Sequence, residues 1–290
     1  MIIYDFLFGP FVDFSFMRRA LAGSIALSFG AAPIGVFMML RRMSLMGDAM
    51  AHAILPGAAV GFLLFGLQIL PMGIGGMIAG LIVAVAAGLV ARGTVLKEDA
   101  SLAAFYLISL SLGVLIVSMK GSSIDLMHVL FGSVLAIDDN ALLVLGGAST
   151  ISILVLAVIL RPLIAECVDP GFLTSVKGPG AIVHIVFLGL VVLNLVAGFQ
   201  ALGTLLAVGM MILPAAAARF WARRLEGLIV VAVGVAMLSS YVGLLVSYHL
   251  NLASGPAITL SAGAAYLVSI FIGRAGGVLW KPPPHKHRAA

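Results

Sequence analysis

The sequence predicts an all-α fold, a polytopic transmembrane helical bundle of about nine spans, with eight to ten as the bounds. Three observations predict it. The 290 residues are 62% hydrophobic and 9% charged, with a mean hydropathy of +1.23, whereas a water-soluble domain is about half apolar and about a quarter charged. The apolar residues fall in runs as long as or longer than the roughly 20 residues that cross a bilayer. The cations collect at alternate ends of those runs. A chain of this length filled with spans leaves no room for a soluble enzymatic domain. Its single cysteine, Cys167, excludes an internal disulfide framework and any multi-cysteine metal site.

Residues 1–19 carry Asp5 and Asp13 among Tyr4, Phe6, Phe8, Phe11, Phe14 and Phe16 and have no basic start. They read as an interfacial aromatic segment and not as a cleavable signal. Uninterrupted apolar runs then cover 20–40, 53–91, 100–119, 141–160, 178–218 (broken only by His184) and 227–273 (broken only by His249). Three of these are too long for one crossing. Each has a turn signal near its middle: Gln68 to Pro71, Gly198 to Gly203, and His249 to Pro256 with Asn251 and Ser254-Gly255-Pro256. Dividing there gives helices at about 20–40, 49–67, 72–91, 100–119, 141–160, 180–198, 202–218, 227–248 and 256–273. Residues 20–275 thus form one transmembrane domain, and 276–290 form a polar tail containing KPPPHKHRAA. Small-residue spacings such as Gly57/Gly61, Gly76/Gly80 and Gly273/Gly277 permit close helix contact, but with 34 glycines in the chain they carry little weight.

With the N-terminus outside, only Arg18, Arg19 and Lys120 of the 16 lysines and arginines face outward, so the positive-inside rule puts the C-terminus in the cytoplasm. The net charge of +5 therefore marks one membrane face and is not a nucleic-acid footprint. The long outer loop at 120–140 includes Phe131-Gly132-Ser133, enough for a short re-entrant or surface helix.

Ionisable groups at membrane depth cost about 2.5–3.5 kcal/mol each on insertion scales. Asp48 and His52 are the only pair. Four residues apart, they project from one helical face, and a carboxylate oxygen with an imidazole nitrogen is a partial coordination set for Mn²⁺, Zn²⁺ or Fe²⁺. By spacing alone, an acid stabilising a helix start with a histidine satisfied by backbone is the commoner arrangement. Two ligands are too few for tight binding, so water, another helix or a second copy of the chain must complete a site. His184 and His249 stand singly near span ends and read as satisfied interfacial histidines, and Asp125 with His128 reads as a solvated loop pair. The methionines read as packing. No G-x-x-x-x-G-K-[ST] motif occurs, so ATP, if used, is hydrolysed on another polypeptide.

The run RRMSLMGDAMAHAILPGAAVGFLL at 41–64 closely resembles the signature region of the membrane subunits of zinc, manganese and iron ABC importers. LFGSVLAI at 130–137, LGTLLAVGMMILPAAAAR at 202–219 and SYHLNLASGPAITL at 247–260 resemble the same family in the same order. The resemblance implies a permease architecture related to the cobalamin/siderophore-type importers, in the bacterial inner membrane. It implies that Asp48 and His52 coordinate the transported ion, with no permanently bound cofactor. It further implies a second copy of the chain, two cytoplasmic ATP-hydrolysing subunits and an extracytoplasmic metal-binding solute-binding protein as partners. The inner loop ECVDPGFLTSVKG at 166–178 is similar to the family's coupling segment, which makes Glu166, Asp169, Pro170, Gly171 and Gly178 candidates for contact with the ATPase. Asn251 stands where the family usually has an acidic residue, and Ser254 where it often has proline.

The function expected is import of a divalent transition metal ion by alternating access at a homodimer interface, with no covalent chemistry in this chain. Histidine ligates only when deprotonated, so uptake should weaken on acidification. A permease for a chelated metal or cobalamin-like cofactor would tolerate loss of Asp48, and a non-transporting membrane scaffold would co-purify with no stimulated ATPase. An ion-driven carrier is disfavoured because Asp48 reads as the lone acid within the spans.

Overall fold

A computed structural model describes every residue except 1, 44, 67, 97, 119–133, 135–136, 169–177 and 281–290. Two short helices, α1 (Ile2–Leu7) and α2 (Gly9–Asp13), precede a long one, α3 (Ser15–Leu40). Then follow α4 (Met46–Ala53), α5 (Leu55–Phe65), α6 (Ile69–Gly93), α7 (Glu98–Ser118) and α8 (Asp139–Val168). The last four are α9 (Gly180–Leu202), α10 (Thr204–Ala218), α11 (Leu225–Leu250) and α12 (Ser254–Ile272), with a 3₁₀ turn at Val278–Trp280. Among the described residues, eight segments are long and apolar enough to cross a membrane, α4 and α5 acting together as one, and α10 is a shorter apolar helix of 15 residues. The expected count of spans is met with α10 as the ninth.

The bundle is built around α3 and α9, each 72% buried over its most apolar stretch. Helix α3 packs against α8, α9, α10 and α11, and α9 additionally touches α4 and α6. The peripheral α7 and α12 bury 22% of theirs, so their Leu and Ile side chains face outward, as lipid-facing helices require.

Several boundaries differ from the sequence reading, each for a local reason. The first span begins at Ser15, not 20, because Arg18 and Arg19 are satisfied at its end. Arg18 Nη1 donates to the Val12 carbonyl at 2.7 Å, and Arg19 Nε pairs with Asp139 Oδ1 at 3.0 Å. The second span is not one helix. It breaks at Ile54, where Pro56 follows and starts α5. It also starts earlier than 49, with Met43 (3% exposed) and Met46 (2%) already inside the bundle. The fifth span continues past 160 to Val168 despite Pro162. Consequently Glu166, expected in a loop, is helical and buried.

Helix ends explain two other residues. Helix α3 terminates with Arg42 N–H on the Met39 carbonyl and Met43 N–H on the Met38 carbonyl, the paired bonds of a Schellman stop. Arg42 occupies the left-handed position at φ 60°, where glycine is usual. Helix α11 ends at Asn251, φ 52°, with Leu252 N–H on the Ser247 carbonyl. Asparagine tolerates that conformation well, which gives a backbone reason for Asn251 at this turn.

Candidate metal-permeation face

Helix α4 positions the Asp48–His52 pair. Its other faces are buried through Met46, Gly47, Ala49, Met50 and Ala53, held against α7, α9 and α10. Gly47 allows the approach to α10, where an added Cβ would come 3.3 Å from Ile212 Cδ1. What remains outward is the face carrying the two polar side chains. Asp48 is 71% exposed and His52 44%, with His52 Nε2 3.9 Å from Asp48 Oδ1. At that distance they form no direct hydrogen bond, so both keep lone pairs for another partner. The His52 ring stacks at 6.3 Å on Tyr106 of α7.

Beside the pair lies a small cavity of about 170 Å³ lined by Leu45, Met46, Asp48, Ala49, Asp99, Leu102, Ala103 and Tyr106. It adds a second acid, Asp99 from the first turn of α7, to the surroundings of Asp48. No local spacing links residues on separate helices, so the sequence could not pair them. Among the described residues no group of three or more His, Cys, Asp or Glu side chains converges as a metal cage.

The other candidates fall elsewhere. Glu166 points inward, 3.4 Å from Arg41 Nη2, and its side chain is 6% exposed. His184, expected to be isolated, is buried and accepts from Arg41 through Nδ1. With Glu166 in the bundle interior, Asp48 is not the lone acid of the spans. Gly178 leads through Pro179 into α9. Asp169, Pro170 and Gly171, the loop pair Asp125 and His128, the Phe131–Ser133 motif and the tail lie outside the described residues. His249 stacks on Phe6 at 4.0 Å, and its Nε2 lies 3.0 Å from the Phe6 carbonyl. Tyr241 donates its hydroxyl to the Leu7 carbonyl at 2.9 Å, so the aromatic N-terminal helices are pinned to the end of α11.

The model of the family described as ABC 3 transport matches residues 13–273. The chain belongs to that family. The ABC 3 membership makes it the membrane subunit of a metal-ion ABC importer, as its four ordered motifs implied. Among curated relatives, the manganese import system permease protein ScaB of Streptococcus parasanguinis is 35% identical over 90% of this chain and 91% of its own length. The manganese transport system membrane protein MntC of Halalkalibacterium halodurans is 32% identical over 98% of each. The chelated iron transport system membrane protein YfeD of Yersinia pestis is 29% identical over 93% of this chain and 89% of its own. Among solved structures, PsaBC from Streptococcus pneumoniae in complex with Fab superposes with a TM-score of 0.81 at 32% identity, covering 95% of this chain and 97% of that one. An inward-facing metal-chelate type ABC transporter has a TM-score of 0.69 at 13% identity, over 88% and 85%, a likeness of fold.

Proposed function

We propose that this ABC 3 permease imports a divalent transition metal ion, with manganese first and iron and zinc as competitors, along a path between two copies of itself. The observation that carries the reading is the exposure of Asp48 and His52 on a helix otherwise buried. A carboxylate facing hydrocarbon is costly, so a face that stays 71% and 44% open in one chain needs a polar counterpart outside that chain. A second copy about a twofold axis supplies the same patch facing itself. Two carboxylates and two imidazoles then surround one ion, a set suited to manganese, iron and zinc alike. The manganese-importing relatives favour manganese within that group.

In the proposed cycle an extracytoplasmic binding protein delivers the ion, and ATP hydrolysis on two cytoplasmic partner subunits reorients the helices. The segment around Asp169, Pro170, Gly171 and Gly178 is the contact for those subunits, and Glu166, buried in α8, is not part of it. The end of the bundle that holds Arg41, Arg42, Arg219, Arg223, Arg224 and Arg274 faces the cytoplasm. The ion is cargo, and no cofactor is retained.

The test is radiolabelled manganese uptake by proteoliposomes containing the full transporter, with Asp48→Ala and His52→Ala compared at equal incorporation. Loss of uptake in both supports the path. Wild-type rates in either remove that residue from it.

A further inference from the structure

Arg41, Glu166 and His184 form a buried cluster where α3, α8 and α9 meet. Their side chains are 10%, 6% and 4% exposed. Arg41 Nη2 lies 3.4 Å from Glu166 Oε1. The same nitrogen faces His184 Nδ1, and since a guanidinium only donates, the imidazole accepts there. The guanidinium carbon stands 5.4 Å over the Phe187 ring, and His184 Nδ1 is 3.9 Å from Glu166 Oε1.

The position of this cluster in the chain is informative. Glu166 closes α8 just before Asp169, and His184 opens α9 just after Gly178, so both flanks of the proposed coupling segment meet at one side chain. That side chain, Arg41, is the C-cap of α3. The chain reverses immediately after it in the Schellman stop at Arg42 and Met43, and Met43 and Met46 are buried. Little slack therefore separates the guanidinium from α4, which carries Asp48 and His52. A buried ion pair is on its own a poor source of stability compared with apolar residues of the same volume. This one instead joins three helices remote in sequence, between the proposed coupling segment and the helix that carries Asp48 and His52.

We infer that Arg41, Glu166 and His184 are positioning residues that carry the movement of the coupling segment to α4. The inference rests on the reading that 169–178 docks on the ATPase and that Asp48 and His52 line the path. When the segment shifts, α8 and α9 move together because Arg41 bridges them. Because one guanidinium nitrogen of Arg41 reaches both the acid and the imidazole, the end of α3 follows their shift, and α4 turns with it.

The complete reconstituted transporter tests this, with manganese uptake and binding-protein-stimulated ATP hydrolysis measured on the same vesicles. Arg41→Met and Glu166→Gln should hydrolyse ATP near the wild-type rate while ions moved per ATP fall about tenfold, inside the roughly 5–150-fold span typical of site-to-site coupling. The apolar pair Arg41→Met with Glu166→Leu keeps the volume without leaving a buried charge, so it should assemble even if a single variant does not, and it should stay uncoupled. Restoration of wild-type ions per ATP by that pair shows a merely structural cluster and overturns the inference, as does wild-type coupling in the single variants. Failure of the wild-type transporter to take up manganese, iron or zinc would instead sink the functional reading beneath it.

Discussion

The same substitution, glycine to alanine, should change stability in opposite directions at two helical positions. At Gly35 in α3, an added Cβ would overlap the Met211 carbonyl oxygen of α10 and lie 2.8 Å from its carbonyl carbon and 3.2 Å from Ala215 Cβ. The obstacle is backbone, which cannot rotate away. With the carbonyl oxygen overlapped, an ordinary contact of about 3.5–4.0 Å returns only if the two helices part by about 2 Å, and a gap of even about 0.5–1 Å forfeits about a quarter to a half of each dispersion well along the crossing. Overpacking of this kind costs about 1–3 kcal/mol, and the rigid obstacle places Gly35→Ala at the upper end. At Gly234 in α11 nothing lies within 4 Å of the built Cβ. There the helix propensity term stands alone, a gain of about 0.5–1 kcal/mol. Thermal unfolding of the detergent-purified chain reads both. Gly35→Ala should melt about 5–10 °C lower and Gly234→Ala about 1–4 °C higher, scaling from about 2–4 °C per kcal/mol for chains of this order. Shifts of the same sign, or an unchanged melting point for Gly35→Ala, would refute the assignment of α3 against α10.

Other outcomes follow from the same geometry. Asp48→Ala removes an exposed side chain and should leave the melting point within about the range of surface substitutions, 0.5 kcal/mol either way, while abolishing manganese uptake; a large loss of stability would show the acid to be structural. Arg42→Gly relieves a left-handed residue and should be neutral to stabilising by about 1 kcal/mol in the same melting assay, with a loss pointing to a contact made by the arginine side chain. Ser149, 4% exposed, has no partner for its hydroxyl among the described residues, so Ser149→Ala should raise stability by about 1 kcal/mol, measured by thermal unfolding.

Most of the fold was legible because a bilayer imposes one period and one length on every span. Turn chemistry located the breaks: Gly203 sits at φ 96° and Asn251 at φ 52° within two of the three signals read from sequence. The Ile54 break was missed because Pro56 stands inside an apolar run where a proline-containing span is also permitted, as Pro33 in α3 and Pro162 in α8 demonstrate. A close contact does fall at Gly57, whose Cβ would lie 2.7 Å from Ala79 Cβ, but glycine spacing carried little weight because it does not distinguish Gly57 from Gly234, the difference lying on the neighbouring helix. The Asp48–His52 pair was visible for the opposite reason, being local to one helical turn. The Arg41–Glu166–His184 cluster was not, because its members are 125 and 143 residues apart from Arg41. Reading Glu166 as a loop residue then hid the acid with which that arginine pairs. The part of a transport site that touches cargo can thus be written within a single turn. The parts that move it must join separate helices, and their partners are set by how the helices pack.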